Sequence, residues 1–193
     1  MNEITHPALN AQTLVDLITS RRTIHMYKDQ AIAQEVIEEA VFAAHQAPNH
    51  KLTWPWRFTL IGPETKAQIN ELAMKMKATN GPLEGAQLEL FNQKRVYPQL
   101  MVVSQTVSAD PRQSKEDYAA VSCAIQNFSL ALAAHGIGSK WSTGSMTRHQ
   151  LAYELSEIDQ STEEIVGFIW FGYPAKVPSP KRPDLSEVFR STP

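Results

Sequence analysis

Four short segments of this 193-residue chain bring together residue types that could do chemistry. Arg21-Arg22-Thr23 sets two guanidiniums beside a hydroxyl. Forked, charge-assisted hydrogen bonds from such a group hold phosphate. Basic residues also belong at the C-terminal end of a helix, where they complement its dipole, so the segment alone serves either purpose. His50-Lys51 follows the turn-forming Ala47-Pro48-Asn49 and reads either as a binding loop on a rigid scaffold or as a polar connection. Trp141-Ser142-Thr143-Gly144-Ser145 comes just after Gly136-Ile137-Gly138, where the backbone can turn tightly and approach a ligand closely. Its small hydroxyls and free amides suit a phosphate or the edge of a polar ring; the alternative is a strand-and-turn segment after a helix, with the tryptophan in the core. Lys181-Arg182-Pro183 lies in a proline-rich tail and could close over a phosphate or remain a solvated basic patch.

Other chemistries lack support. The histidines, at 6, 25, 45, 50, 135 and 149, form no His-Glu-x-x-His set, and one cysteine makes no Cys-x-x-Cys pair. No phosphate-binding Gly-x-Gly-x-x-Gly or Walker loop appears, since Gly136-x-Gly138 lacks its third glycine. No Gly-x-Ser-x-Gly elbow appears either. A net charge of −2 without a concentrated basic stretch argues against a nucleic-acid partner. The lone Cys123 sits in apolar Ala119–Ile125, which predicts a buried small side chain; it cannot form an internal disulfide and fits a reducing, cytoplasmic compartment. The N-terminus has neither the basic nor the apolar region of a secretion signal, and the longest apolar run, Ile165–Tyr173, is far too short for a membrane span.

The elements that must position these segments follow from periodicity. Residues 1–10 read as a loose start. Thr13 is placed to cap a helix carrying Leu14, Leu17 and Ile18, which stops near Arg21-Arg22-Thr23. Ala33, Val36, Ile37, Ala40, Val41 and Ala44 form one apolar helix face, ended by Pro48. Trp56–Ile61 reads as a strand closed by Gly62-Pro63. Thr65–Lys77 is an amphipathic helix with Ile69, Leu72, Ala73 and Met76 inward, broken at Asn80-Gly81-Pro82. Leu83–Val96 follows as a weaker helix, Leu100–Val107 as a strand and Asp110-Pro111 as a polar connection. Asp117–His135 is the longest helix, apolar nearly all round, and so a central buried one ended by Gly136 and Gly138. Thr147 is placed to cap a short helix through Leu155, and Ile165–Tyr173 is apolar on both faces, as an interior strand is. Prolines 174, 178, 180 and 183 make the remainder an extended arm. Helices with a few scattered strands predict an α+β fold in one domain, 1–193, with residues 174–193 as the arm.

Taken in order and spacing, Arg21-Arg22-Thr23, the helix ending in Ala47-Pro48 and the strand opening Pro55-Trp56-Arg57-Phe58 resemble the nitroreductase family, in its compact branch, over about Leu14 to Phe189. The resemblance implies a small, mainly antiparallel sheet wrapped by helices. It also implies a homodimer joined through the long central helix, with exchanged C-terminal arms and one FMN per active site built from both subunits. Arg21, Arg22 and Thr23 match the family's phosphate and ribityl contacts. Gln46 and His50 match positions that reach the flavin from the partner subunit. Trp141, Ser142 and Thr143 match the segment lining the flavin, and Lys181 and Arg182 align loosely with a C-terminal basic pair. Lys51 is a candidate cation beside the pyrimidine edge, where a positive charge favours the reduced flavin. Two features depart from the family pattern: Leu52-Thr53-Trp54 stands where Asn and Gln are usual, and His25 where a basic residue is common.

The function implied is an FMN-dependent oxidoreductase. It would pass electrons from NADH or NADPH to nitro compounds, quinones or similar small acceptors by a ping-pong mechanism, with no indispensable side-chain acid or nucleophile. Alternatives on the same fold are specialised flavin chemistry, such as dehalogenation or dehydrogenation of a heterocycle, and a non-enzymatic flavin-binding protein.

Overall fold

A computed structural model describes residues 10–76 and 84–193. The break expected at Asn80-Gly81-Pro82 lies outside the described residues, as do 1–9. The chain runs α1 (Ala11–Ser20), α2 (Gln34–His45), β1 (Trp56–Ile61), α3 (Pro63–Met76), α4 (Gly85–Phe91), β2 (Gln99–Thr106), α5 (Pro111–Ala134), β3 (Gly138–Ser142), α6 (Gln150–Leu155) and β4 (Glu163–Gly172). The four strands form one antiparallel sheet in the order β1-β2-β4-β3, which is the α+β class expected.

Alternation along β4 explains the layering. Val166, Ile169 and Phe171 face α2 and α5, in a core centred on Phe128, Val121 and Leu132. Ile165, Phe168 and Trp170 face α3 and α6, with Ile69, Leu72 and Tyr153. Both faces are covered, so β4 reads as a continuous apolar run.

Several boundaries differ from the sequence reading. Asn10, not Thr13, caps α1, its side chain accepting from the Gln12 amide at 3.0 Å. α5 starts at Pro111, six residues before the expected Asp117. Asp110 is its N-cap, accepting from the Arg112 amide at 2.9 Å, and proline at the first position lacks the N–H that would be orphaned there anyway. α5 is not apolar all round: Gln113, Asp117 and Ser129 are buried among its core residues, and Tyr118 and Cys123 are exposed. Cys123 is exposed because it lies on the face of α5 turned away from the sheet. The weaker helix after the break becomes α4 followed by a wide π turn, Asn92–Val96. Thr147 does not cap α6; its hydroxyl donates to the Gly144 carbonyl at 3.1 Å, and His149 Nδ1 accepts from the Leu151 amide instead. The strand of the strand-and-turn alternative begins before Trp141: Gly138–Ser142 is the sheet's edge strand β3.

Beyond that edge the chain after α1 is strapped to the sheet. Thr23 bridges Ser139, and Tyr27 bridges Pro174. The buried Tyr27 hydroxyl donates to the carbonyls of Ile24 and Trp170, at 2.8 and 2.9 Å. Burial pushes its pKa far up, so it remains a donor.

β4 carries one extra residue against β2: Val103 faces Gly167 but Ser104 faces Ile165. This bulge aims the Val166 carbonyl at Trp141, whose Nε1 donates to it at 3.3 Å. A Cβ on Gly167 would stand 2.1 Å from that nitrogen and 3.1 Å from the Ser142 carbonyl oxygen. Gly167→Ala is therefore expected to drive Trp141 from its seat. Overpacking of about 1–3 kcal/mol corresponds to a Tm lower by roughly 2–12 °C in a chain of this size. Thermal melting and Trp emission check this; a parental melt and spectrum would show that Trp141 yields without cost.

Candidate active site

A cleft of about 450 Å³ opens between the strap, β3 and the outer face of α5, with Arg21, Thr23, Ser139, Trp141 and Thr143 on one side. Tyr118, Ser122, Gln126 and Ser129 of α5 form the other. These four follow helical spacing along one stripe, a signal that was present in the sequence but hidden by the alanines between them. The volume lies within the range of cofactor pockets.

Arg21 is the basic residue lining the cleft. It is the residue just past α1, its amide closing onto the Leu17 carbonyl at 3.1 Å. Its guanidinium is half-buried, and its pKa is lowered first by that burial, then by Arg182 and by Arg22. Folding thus brings Arg182 from the tail to Arg21. Arg22 takes the alternative role open to it: Nη1 donates to the carbonyls of Thr19 and, at 2.9 Å, Arg21, tying off the end of α1. Ser142 is half-buried beside Trp141, on the opposite face of β3. Lys181 and Arg182 are both exposed, and neither lines the cleft, although the Arg182 charge acts on Arg21.

Gln46, His50 and Lys51 stand elsewhere. They belong to a loop laid over the N-terminal half of α5, and none lines the cleft of its own chain. Gln46 Nε2 donates to the Phe42 carbonyl at 3.3 Å, and His50 Nε2 lies 3.9 Å from Glu116 Oε2. The loop is strained, with Lys51 at φ 61°, Leu52 at 54° and Trp54 at 44°. Left-handed backbone at non-glycine residues costs of order 1 kcal/mol or more each and persists only where its surroundings over-determine it. Here Asn49 Oδ1 accepts from the Trp54 amide at 2.6 Å, and the Thr53 hydroxyl donates to buried Asp117 at 2.6 Å. Gln113 donates to the same Asp117 oxygen at 2.8 Å. The unusual Leu52-Thr53-Trp54 is therefore a fixed shape that holds Leu52 and Trp54 out to solvent.

At the strap's far end, His25 has its pKa lowered by burial, then by Lys140 and Lys94. Lys140→Gln is expected to raise it toward the ordinary histidine value, which proton NMR titration reads directly; an unmoved titration would remove Lys140 as a cause.

The family model for the nitroreductase family matches residues 18–173. The chain belongs to the nitroreductase family. A Bacillus subtilis (strain 168) relative, "Putative NAD(P)H nitroreductase YfhC", is 34% identical over 88% of each chain. A Haliscomenobacter hydrossis iodotyrosine deiodinase is 27% identical over 87% of this chain and 83% of its own. Among solved structures, the nitroreductase-like family protein from Bacillus cereus superposes with a TM-score of 0.78 at 24% identity, covering 97% of this chain and 99% of that one. A Desulfovibrio desulfuricans "putative nitroreductase in complex with fmn" gives 0.73 at 20%, covering 98% and 99%. These two likenesses show the shared fold. Among the described residues no helix is long and apolar enough to cross a membrane, and no group of side chains could hold a metal ion.

Proposed function

We propose that this nitroreductase-family chain is an FMN-dependent oxidoreductase taking electrons from NADH or NADPH and giving them to nitro compounds, quinones or similar small acceptors. The observation that carries this reading is the arginine lining the cleft. Arg21 lines the cleft within reach of the Arg182 charge, which repels it, and no carboxylate is paired to either among the described residues. An anion of two negative charges relieves that repulsion, and Thr23 adds a hydroxyl to the same cleft. Besides Thr23, five hydroxyl-bearing side chains along the cleft suit a polyol chain, and the pinned Trp141 ring offers a flat wall. The residues present thus fit FMN: Arg21, Arg182 and Thr23 would hold its phosphate, and Trp141–Thr143 would border its ring.

When bound, FMN supplies the two-electron chemistry, and the protein binds, orients and excludes water. No side chain of the cleft is required as acid or nucleophile. The reading includes a cytoplasmic homodimer of single-domain subunits in which residues 174–193 reach across to the partner. Supporting it are Leu14, Ile18 and Phe42 on the outer helices and Leu185, Val188 and Phe189 in the arm, all large apolar side chains left exposed in one chain. In that assembly Gln46, His50 and Lys51 would complete the partner's site, which gives the strained loop a purpose.

The test is spectroscopic and kinetic. Purified protein should be yellow, bleach with NAD(P)H without an acceptor, and recover colour when a quinone or nitroaromatic is added anaerobically. Donor and acceptor need the same exposed ring face, so double-reciprocal plots should be parallel, the ping-pong pattern. Intersecting plots would require both bound together, and a flavin that neither nicotinamide bleaches would end the reading. The deiodinase relative favours a second reading, reductive removal of halide from a halophenol, which halide release from the same bleached protein would reveal.

A further inference from the structure

A second pocket, of about 160 Å³, lies on the α3 side of the sheet. Its walls are Ala73, Met76, Met146, Phe168 and Trp170, with Ser142, Gly144, Ser145 and Arg95 as its polar members. Consecutive residues at the end of β3 divide between the two: Thr143 lines the cleft, and Ser142 and Gly144 line this pocket. A dry cavity of about 150 Å³ takes a benzene ring, so this pocket has the size for one ring.

Arg95 is the unexpected feature. Its guanidinium carbon stands 4.6 Å from the centre of the Trp170 ring. Among the described residues no carboxylate pairs with it and no acceptor takes any of its five donors. Its backbone is fixed: Asn70 Nδ2 donates to the Arg95 carbonyl at 3.0 Å, and Lys66 Nζ to those of Val96 and Pro98, at 2.7 and 2.8 Å. The π turn around it is a geometry frequent at functional sites. Further cations crowd the neighbourhood: Lys140 faces Trp170 across the β3–β4 ladder, and Lys140 and Lys94 both act on His25. A half-buried guanidinium, oriented by an aromatic face and without a counter-ion, is a forked receptor for a carboxylate.

We propose that the electron acceptor of this site is a small aromatic acid, its ring between Trp170, Phe168 and Met146 and its carboxylate on Arg95. This rests on the FMN reading above and adds the substrate class to it. With 4-nitrobenzoate as the probe, the reaction is 4-nitrobenzoate + NAD(P)H + H⁺ → 4-nitrosobenzoate + NAD(P)⁺ + H₂O. The hydride and the proton leave as water with one nitro oxygen.

The experiment compares 4-nitrobenzoate with uncharged nitrobenzene on the FMN-loaded protein. The expected parental preference, as a ratio of kcat/KM, favours the acid. Arg95→Gln should lower that ratio roughly tenfold to a hundredfold, the weight of a hydrogen bond to a charged group, through KM. Arg95→Lys, which keeps the charge but loses the fork, should fall between. A parental enzyme indifferent to the carboxylate overturns the proposal. So does an Arg95→Gln protein whose FMN affinity falls while the ratio stays, which would assign Arg95 to the cofactor. Should Arg95→Gln fail to fold, calorimetric binding of benzoate against benzamide to the parental protein decides: equal binding overturns the proposal. The same measurement without FMN separates the two readings, since Arg95-side benzoate binding by a protein that takes no FMN would sink the oxidoreductase and leave the acid pocket.

Discussion

Arg21→Ala is expected to weaken FMN binding about tenfold to a hundredfold while barely moving the melting of the FMN-free protein. The first half follows from the loss of a charge-assisted contact to phosphate, about 1.5–3 kcal/mol, at roughly 1.4 kcal/mol per decade of affinity. The second follows from what surrounds Arg21. It makes no ion pair among the described residues, and its neighbours Arg182 and Arg22 repel it. Removing one member of a like-charged trio relieves as much as it costs. Flavin fluorescence titration and paired melts check both halves. Equal dissociation constants for mutant and parent would show that phosphate is held elsewhere; a collapse of the FMN-free melt would make Arg21 structural. Arg22→Ala offers the contrast. It should cost some helix stability, because its guanidinium closes the end of α1.

The largest loss of stability is expected at Phe128. Its side chain is fully buried, 5.8 Å from the Phe58 ring and 5.5 Å, edge on, from that of Phe171. It joins α5 to both β1 and β4. Phe128→Ala removes that contact and leaves a cavity, for about 3–5 kcal/mol, which lowers Tm by roughly 6–20 °C in a chain of this length. The same helix carries Ser122 and Ser129 into the cleft, so FMN affinity should fall with it. Cys123→Ala, on the opposite face of α5, should leave melting within a degree or two of the parent. A small shift at Phe128 would mean that α5 is rotated from the orientation described, and a large one at Cys123 would place its face of α5 in the subunit interface.

How much was legible beforehand depended on how local each signal was. β1 was legible to the residue, because Trp56–Ile61 is fenced by Pro55 and Gly62-Pro63. β4 was legible because a strand covered on both faces must be apolar throughout. The start of α5 was missed because Arg112 to Glu116 is polar and follows a proline, although Asp110-Pro111 is itself a helix-start pair. β3 was legible only as an alternative without bounds, because an edge strand of five residues, Gly138–Ser142, needs only one good face. Cys123 was misplaced because a run of small residues does not say which helix face the sheet covers.

The sequence by itself determined most of the element types, the α+β class and the family, since these rest on periodicity, turn residues and the order of short motifs, all readable within a few turns of chain. It also marked Arg21, Thr23, Trp141 and Thr143 as worth watching, and these four share one cleft. Tertiary structure alone decided which cations meet. Arg182 reaches Arg21 because Tyr27 and Pro174 pin strap and tail to the same sheet edge. Arg22 is spent on the end of its own helix, and Arg95, an ordinary basic residue in a polar stretch, lies over Trp170. A charge carries no mark of its partner in one dimension; packing chooses it, by deciding which surfaces close over which side chains.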